Sequence, residues 1–230
     1  MRSIAFLTQK GGAGKTTLAA SLAEIAASTG ERVIALDLDP QQSLTQWGKR
    51  RESANARNKI IVEPLERERL THLRPILDGL AAAEFTLVIF DTTVADARAF
   101  RLVCEVADLC LLPARPTRLD VEATAETFRA VFLAKRKAAF VLNQCPSSHR
   151  STRASEAAKR LAELGVLAEP MLSARMDFQD ALAGGLGVTE YARGGRAAEE
   201  IAMLWNWSRA QLPSGQPAAA ERRPGGQAAA

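Results

Sequence analysis

The chain has 230 residues, 47% apolar and 24% charged, with a formal net charge of +4; that suffices for one substantial core and predicts a single α/β domain. No apolar run approaches a membrane span, and the apolar part of residues 1–8 is too short for a secretory signal, so the expected location is cytoplasmic. Cys104, Cys110 and Cys145 are odd in number and lack C-x-x-C spacing, which reads as reduced, buried thiols rather than disulfides or metal ligands.

In chain order, residues 3–8 read as a first strand. Residues 15–28 read as a helix with Leu18, Leu22, Ile25 and Ala26 at core-facing spacing, ended by Gly30. Between them stands Gln9-Lys10-Gly11-Gly12-Ala13-Gly14-Lys15-Thr16-Thr17, a glycine-rich strand-to-helix turn. Glycines let backbone N–H groups turn inward toward an anion, and the start of the following helix favours negative charge. Gly11, Gly12, Ala13, Gly14, Lys15, Thr16 and Thr17 are therefore candidate nucleotide-binding residues. Lys15 is placed to reach the β- and γ-phosphates of ATP, and the Thr16 hydroxyl to meet Mg²⁺. Gln9 departs from the general phosphate-loop pattern, which has glycine there.

A second strand over 32–37 ends in Asp37-Leu38-Asp39-Pro40-Gln41 before a helix over 43–51. Aspartates at the carboxyl end of a strand lie beside the loops where open α/β sheets bind ligands; a pair of turn-forming aspartates is the alternative. Residues 59–65 read as a third strand, followed by an Arg/Glu-rich loop. A helix carrying Leu73, Ile76, Leu77 and Leu80 comes next, with Pro75 in its first turn. His72 and His149 read as surface residues. Residues 85–91 are an apolar run ending in one aspartate, a Walker B pattern in which Asp91 holds the metal. Residues 109–113 and 138–142 are further strands, the latter ending at Asn143. Helices are expected over 121–135, 151–164 and 197–211, and residues 167–172 form a late strand or extended segment. Asp120 stands where it can cap the helix over 121–135. Strands alternating with helices, with the charged residues at strand carboxyl ends, predict a doubly wound, mostly parallel sheet of the P-loop NTPase type. The domain covers 1–212, and residues 213–230, without a large apolar side chain, read as a disordered tail. Residues 129–160 carry eight Lys/Arg against one acid, Glu156. That excess fits nucleic acid, an acidic partner or a solvated face.

Lys10, a second lysine five residues before Lys15, is the mark of the deviant Walker A motif, and on it the chain resembles the ParA/MinD family of partition and positioning ATPases. The D-x-D-P-Q run, the P-x-x-L-D pattern ending at Asp120 and residues 176–191 extend the resemblance over roughly residues 1–210. Thr92-Thr93 stand where the family often has prolines. The resemblance implies that Lys10 reaches across a nucleotide-sandwich homodimer to the partner's nucleotide. It implies that Asp39 positions or activates the attacking water, that Asp37 supports the Mg²⁺ shell or the loop, and that Asn143 reads the adenine edge. The loop before Asp120 would lie at the dimer interface. Because the sequence begins at its first strand, the small ParA type, similar to ParF, is the expected member. The implied function is an ATPase that dimerises on ATP, binds DNA non-specifically on the nucleoid, and is released when a ParB-like protein or cargo adaptor stimulates hydrolysis. Arg175, Arg193 and Arg196 join the 135–160 cations as DNA candidates. The Pro/Gly/Ala tail has no apolar face to lay on a lipid surface, so no membrane partner is expected. Two rivals remain on the sequence alone: a small-molecule enzyme on the same fold, such as a dethiobiotin-synthetase-like ligase, and a nucleotide-gated scaffold.

Overall fold

The computed structural model describes residues 1–93, 96–147 and 151–214. Its frame is a parallel sheet of six strands: β1 (Arg2–Phe6), β2 (Val33–Asp37), β3 (Ile61–Pro64), β4 (Leu87–Asp91), β5 (Leu109–Ala114) and β6 (Ala138–Leu142). Their order is β3-β2-β4-β1-β5-β6, every pairing parallel. β2, β4 and β5 are buried along their whole length, as expected of short apolar runs with helices on both sides.

Alternate strand residues feed two cores. Ile4 and Phe6 face α1 (Lys15–Ser28), α2 (Ser43–Ser53) and the C-terminal helices. Ala5 and Leu7 face the opposite side, which is covered by α3 (Leu73–Ala82), α4 (Ala97–Val106), α5 (Arg118–Leu133) and α6 (Thr152–Leu164). The C-terminal elements are α7 (Met176–Ala183), the single turn α8 (Val188–Tyr191) and α9 (Arg196–Gln211). Cys104, Cys110 and Cys145 are free and buried.

Several sequence expectations are refined. The Arg/Glu-rich loop contains a 3₁₀ turn, Arg67–His72. Helix α4 was not expected; Asp96 caps it, its carboxylate accepting from the N–H groups of Arg98 and Ala99. Helix α5 begins three residues before its expected start and is capped by Thr117, so Asp120 lies inside its first turn and is not the cap. Residues 167–172 are extended beside β6, with a bridge at Phe140–Leu167, a hydrogen bond from the Leu172 N–H to the Leu142 carbonyl (2.9 Å) and a further bridge at Cys145–Ser173 just beyond, but form no continuous ladder with it. Pro170 between them has no N–H to add to a ladder. His72 is exposed. His149 and the expected tail from residue 215 lie outside the described residues.

A buried ion pair fixes the C-terminal elements to the sheet's first helices. Arg51, at the end of α2, donates through Nη1 to Glu190 Oε2 (2.6 Å) and through Nη2 to Glu190 Oε1 (2.9 Å). Its remaining donors go to the carbonyls of Asn58 and Gly185. The chain passes so close that a Cβ on Gly185 would lie 2.4 Å from the Arg51 backbone nitrogen, and Gly185 has a φ of +71°. Truncating one partner strands the other in the interior, which costs about 3–5 kcal/mol, against under about 1 kcal/mol for an exposed pair. Arg51→Ala should therefore shift the urea midpoint far below that of Arg118→Ala, which breaks only the exposed pair with Glu122. Equal midpoints would show that the pair does not hold α8 in place.

Candidate nucleotide site

The phosphate loop follows β1 at the sheet's carboxyl edge. Gly14 precedes Lys15 with φ 93° and receives the Leu18 N–H at 2.9 Å, which starts α1. Only glycine fits there: a Cβ would stand 2.3 Å from Asn143 Nδ2, in a backbone region that side chains avoid. Asn143 Nδ2 donates to the Ala13 carbonyl (2.8 Å) and Gln144 Nε2 to the Gly12 carbonyl (3.0 Å). The loop's carbonyls are thus tied to the end of β6. Its backbone N–H groups, from residue 11 to residue 17, donate to no described residue. A row of uncommitted N–H groups at a helix start is an anion site.

The charged residues converge on this loop because of strand register. Asp91 pairs with Phe6 on one side and with Asp37 on the other, so the ends of β2 and β4 lie together beside the turn leaving β1. Asp91 is buried, and neither carboxylate oxygen has a hydrogen-bond partner among the described residues. Burial pushes its pKa up to about 7. The Thr16 hydroxyl, near it but outside hydrogen-bond geometry, opposes that rise, Asp37 adds to it, and Lys15 opposes it. Lys15 is itself buried, and its ammonium forms no ion pair with a described residue. Burial holds its pKa below the usual lysine value, against the pull of Asp91 and Asp39.

The other aspartates do different work. Asp37 is buried and committed: Oδ1 accepts from the Asp39 N–H (3.0 Å), and Oδ2 from the Thr45 N–H (2.8 Å) and hydroxyl (2.9 Å). It therefore anchors the loop and the first turn of α2. Asp39 is half-buried, with one oxygen taken by the Gln41 N–H. Across the loop, Lys10 Nζ lies 3.2 Å from Asp120 Oδ2, and Arg115 Nε lies 3.1 Å from Asp120 Oδ1. Burial pushes the Asp120 carboxyl up, but Thr117, Arg115 and Lys10 together hold it below its ordinary value.

A cavity of about 220 Å³ adjoins the loop, lined by Gly14, Thr17, Asn143, Gln144, Phe178 and Gln179. Asn143 thus stands between cavity and loop, one N–H of its amide given to the Ala13 carbonyl. No group of three or more His, Cys, Asp or Glu among the described residues could cage a metal. The unpartnered Asp91 carboxylate beside the Thr16 hydroxyl does suit Mg²⁺, which takes one or two protein oxygens and completes its shell with water and substrate phosphate. Arg115, Gln144 and Thr45 were not singled out by the sequence. Gln144 directly follows Asn143 and Arg115 directly precedes the pattern that runs from Pro116 to Asp120, so both stood next to residues that were.

The basic residues of 129–160 do not form one patch. Lys135, Arg136 and Lys137 precede β6 and lie at the sheet's amino edge, where Lys137 donates to the Gln211 carbonyl and Arg136 to that of Glu105. Arg153 is in the first turn of α6, after the carboxyl end of β6, about 17 Å away along a strand. Arg129, Lys159 and Arg160 are exposed on their helices, and Arg150 lies outside the described residues. Arg175 is paired with Glu200 (2.9 Å), whereas Arg193 and Arg196 are exposed. Among the described residues no helix is long and apolar enough to cross a membrane.

Residues 4–188 match the CobQ/CobB/MinD/ParA nucleotide binding domain. The maintenance of carboxysome distribution protein A of Gloeobacter kilaueensis is 32% identical over 200 residues, covering 86% of this chain and 88% of that protein. Among solved structures, apo McdA from Cyanothece superposes with a TM-score of 0.75 at 18% identity, over 92% of this chain and 99% of the other. MinD of Pyrococcus horikoshii complexed with Mg-ADP gives 0.68 at 16% identity, over 89% and 94%.

The buried Asp91 has a consequence for stability. An acid whose pKa rises from 3.8 to about 7 on folding penalises the folded state increasingly as pH climbs between those values, and fully above them. The upper bound is roughly 4 kcal/mol. Asp91→Asn removes the charge, so calorimetry of the nucleotide-free chain should show it melting about 5 °C or more above the parent at pH 8, a gap that closes toward pH 4. A variant that melts below the parent at pH 8 would show that the carboxylate is better solvated than its burial implies.

Proposed function

The chain belongs to the CobQ/CobB/MinD/ParA nucleotide-binding family, and from that membership we propose that it is an ATP-driven partition or positioning ATPase of the ParA/MinD kind. ATP joins two copies in a sandwich dimer. The dimer binds DNA without sequence preference, and a ParB-like or cargo-adaptor partner stimulates hydrolysis and release. The observation that carries the reading is the pairing of an N–H row with a buried Lys15 beside Asp91, none of them partnered by a described residue.

The roles follow from environment. The N–H groups of residues 11–17 and the Lys15 ammonium bind the phosphates, in a low-dielectric setting where each charge counts for more than in water. Thr16 and Asp91 would hold Mg²⁺, which when bound offsets phosphate charge; Asp37 stands behind them and fixes the loop that carries Asp39. Asp39 keeps one oxygen without a hydrogen bond to a described residue and is half-exposed, which suits a group that orients water. Lys10 reaches the partner's nucleotide, and Asn143 faces the base cavity. For DNA, the carboxyl-edge cations Arg153 and Arg196, with the exposed Arg193, are favoured over Lys135, Arg136 and Lys137, because the edge that carries the nucleotide is the edge a sandwich dimer joins.

Lys15→Ala should abolish ATP binding by calorimetry; unchanged affinity removes the basis of the reading. Asp39→Ala should still bind ATP and accumulate as a dimer in light scattering, since its exit by hydrolysis is blocked. Affinity for unrelated duplexes should appear with ATP and fall roughly 10³- to 10⁵-fold between about 50 and 200 mM salt if about six to ten phosphates are neutralised. Equal affinity with ATP, with ADP and without nucleotide would break the link between nucleotide and DNA. Full ATP turnover coupled to a small-molecule product, without DNA or partner, would favour a ligase instead.

A further inference from the structure

For Lys10 to serve another subunit it must leave a buried carboxylate. Asp120 has a side-chain exposure of only 2%, and Lys10 sits on its Oδ2. Stripping the cation from a buried ion pair leaves a bare charge in a poorly solvated place, a strongly unfavourable step. Asp120, however, carries a second cation on its other oxygen, Arg115 through Nε at 3.1 Å, and receives the Thr117 hydroxyl as well.

The two cations differ in freedom. Exposure does not separate them, the Lys10 side chain being 31% exposed and that of Arg115 35%; the backbone does, for Lys10 stands on the glycine-rich loop, directly before Gly11 and Gly12. Arg115 follows the buried end of β5 and precedes Pro116, whose ring restricts the backbone of the residue before it. The Arg115 carbonyl also accepts the Thr117 N–H (2.8 Å). Its guanidinium reaches back over the loop, with Nη1 3.8 Å from where a Cβ on Gly12 would stand. One partner of Asp120 is thus on a pliable segment and the other on a stiff one.

We propose that Arg115 is a positioning residue for ATP-dependent dimerisation: it stays on Asp120 as the remaining counter-ion when Lys10 departs for the partner's nucleotide. The inference rests on the sandwich-dimer reading above. With Arg115 in place, the departure of Lys10 leaves Asp120 neutralised. Without Arg115, the same departure leaves a buried, uncompensated carboxylate, so Lys10 is held at home. Asp120→Asn removes the charge that has to be covered and makes Arg115 dispensable.

The test uses the full chain carrying Asp39→Ala as parent, with dimer formation followed by light scattering over an ATP titration. Adding Arg115→Ala should raise the ATP concentration for half-dimerisation at least about tenfold. Arg115→Lys, which restores a counter-charge, should stay within about threefold of the parent, and so should Arg115→Ala combined with Asp120→Asn. A ligand-free readout accompanies these: amine labelling of Lys10, followed by mass spectrometry without nucleotide, should be slower in Arg115→Ala than in the parent and fastest in Asp120→Asn. Arg115→Ala dimerising like the parent, or remaining impaired once Asp120→Asn is added, would overturn the proposal while leaving the dimer reading intact. A parent that stays monomeric with ATP overturns both.

Discussion

A carboxylate held in the core with no hydrogen bond to a described residue is the constraint on which this molecule turns. Asp91 ends the central strand β4, flanked by β1 and β2, and no described neighbour satisfies either of its oxygens. Nothing in packing rewards that placement, and burial, reinforced by Asp37 and Asp39, carries its pKa to about 7 against the pull of Thr16 and Lys15. The surroundings explain how it is tolerated. Lys15 lies close enough to oppose the shift but forms no ion pair with it. The two groups face each other with binding capacity left over, as groups that bind a ligand must. Buried polar groups without partners are uncommon in folded proteins and gather at functional sites.

Four aspartates around one loop carry four different assignments, and environment alone separates them. Asp37 is spent on three bonds to Asp39 and Thr45; Asp91 is spent on none. Asp120 is saturated by two cations and a hydroxyl, which keep its pKa low in spite of burial. Asp39 alone of the four is half-exposed. In the proposed reading, side chains of identical chemistry divide in this way between structure, ligand binding and water positioning, as titratable groups with divergent surroundings commonly do.

Much of this was legible in the sequence, and the reasons differ by element. The parallel sheet announced itself through short apolar runs, each followed by helical spacing, and the site through glycines and aspartates at strand ends. Helix α4 passed unnoticed because its apolar positions, Ala99, Phe100, Val103 and Cys104, are small or mixed with arginines; Asp96 ahead of them was the available signal. The basic excess was counted along the chain, whereas β6 carries its members to opposite edges of the sheet. The contacts of Asn143 and Arg115 with the loop were beyond reach for another reason. They join residues more than a hundred positions apart, and only the pairing of β5 and β6 beside β1 brings them together.

Those long-range contacts also explain why the site is charged as it is. Around the loop the cations Lys10, Lys15 and Arg115 face the carboxylates Asp37, Asp39, Asp91 and Asp120, so acids outnumber bases before any phosphate arrives. Phosphate binding by a site with that balance cannot rest on side-chain charge alone. Part of the attraction has to come from the oriented N–H groups of the loop, which add positive potential without a counter-ion of their own. This places a demand on the backbone: the N–H groups serve only while the Gly12 and Ala13 carbonyls stay turned away, and Gln144 and Asn143 hold them so. The remainder is the reason to expect a divalent cation with the nucleotide, since Asp91 is the one carboxylate of the four with no partner among the described residues to lose in binding it.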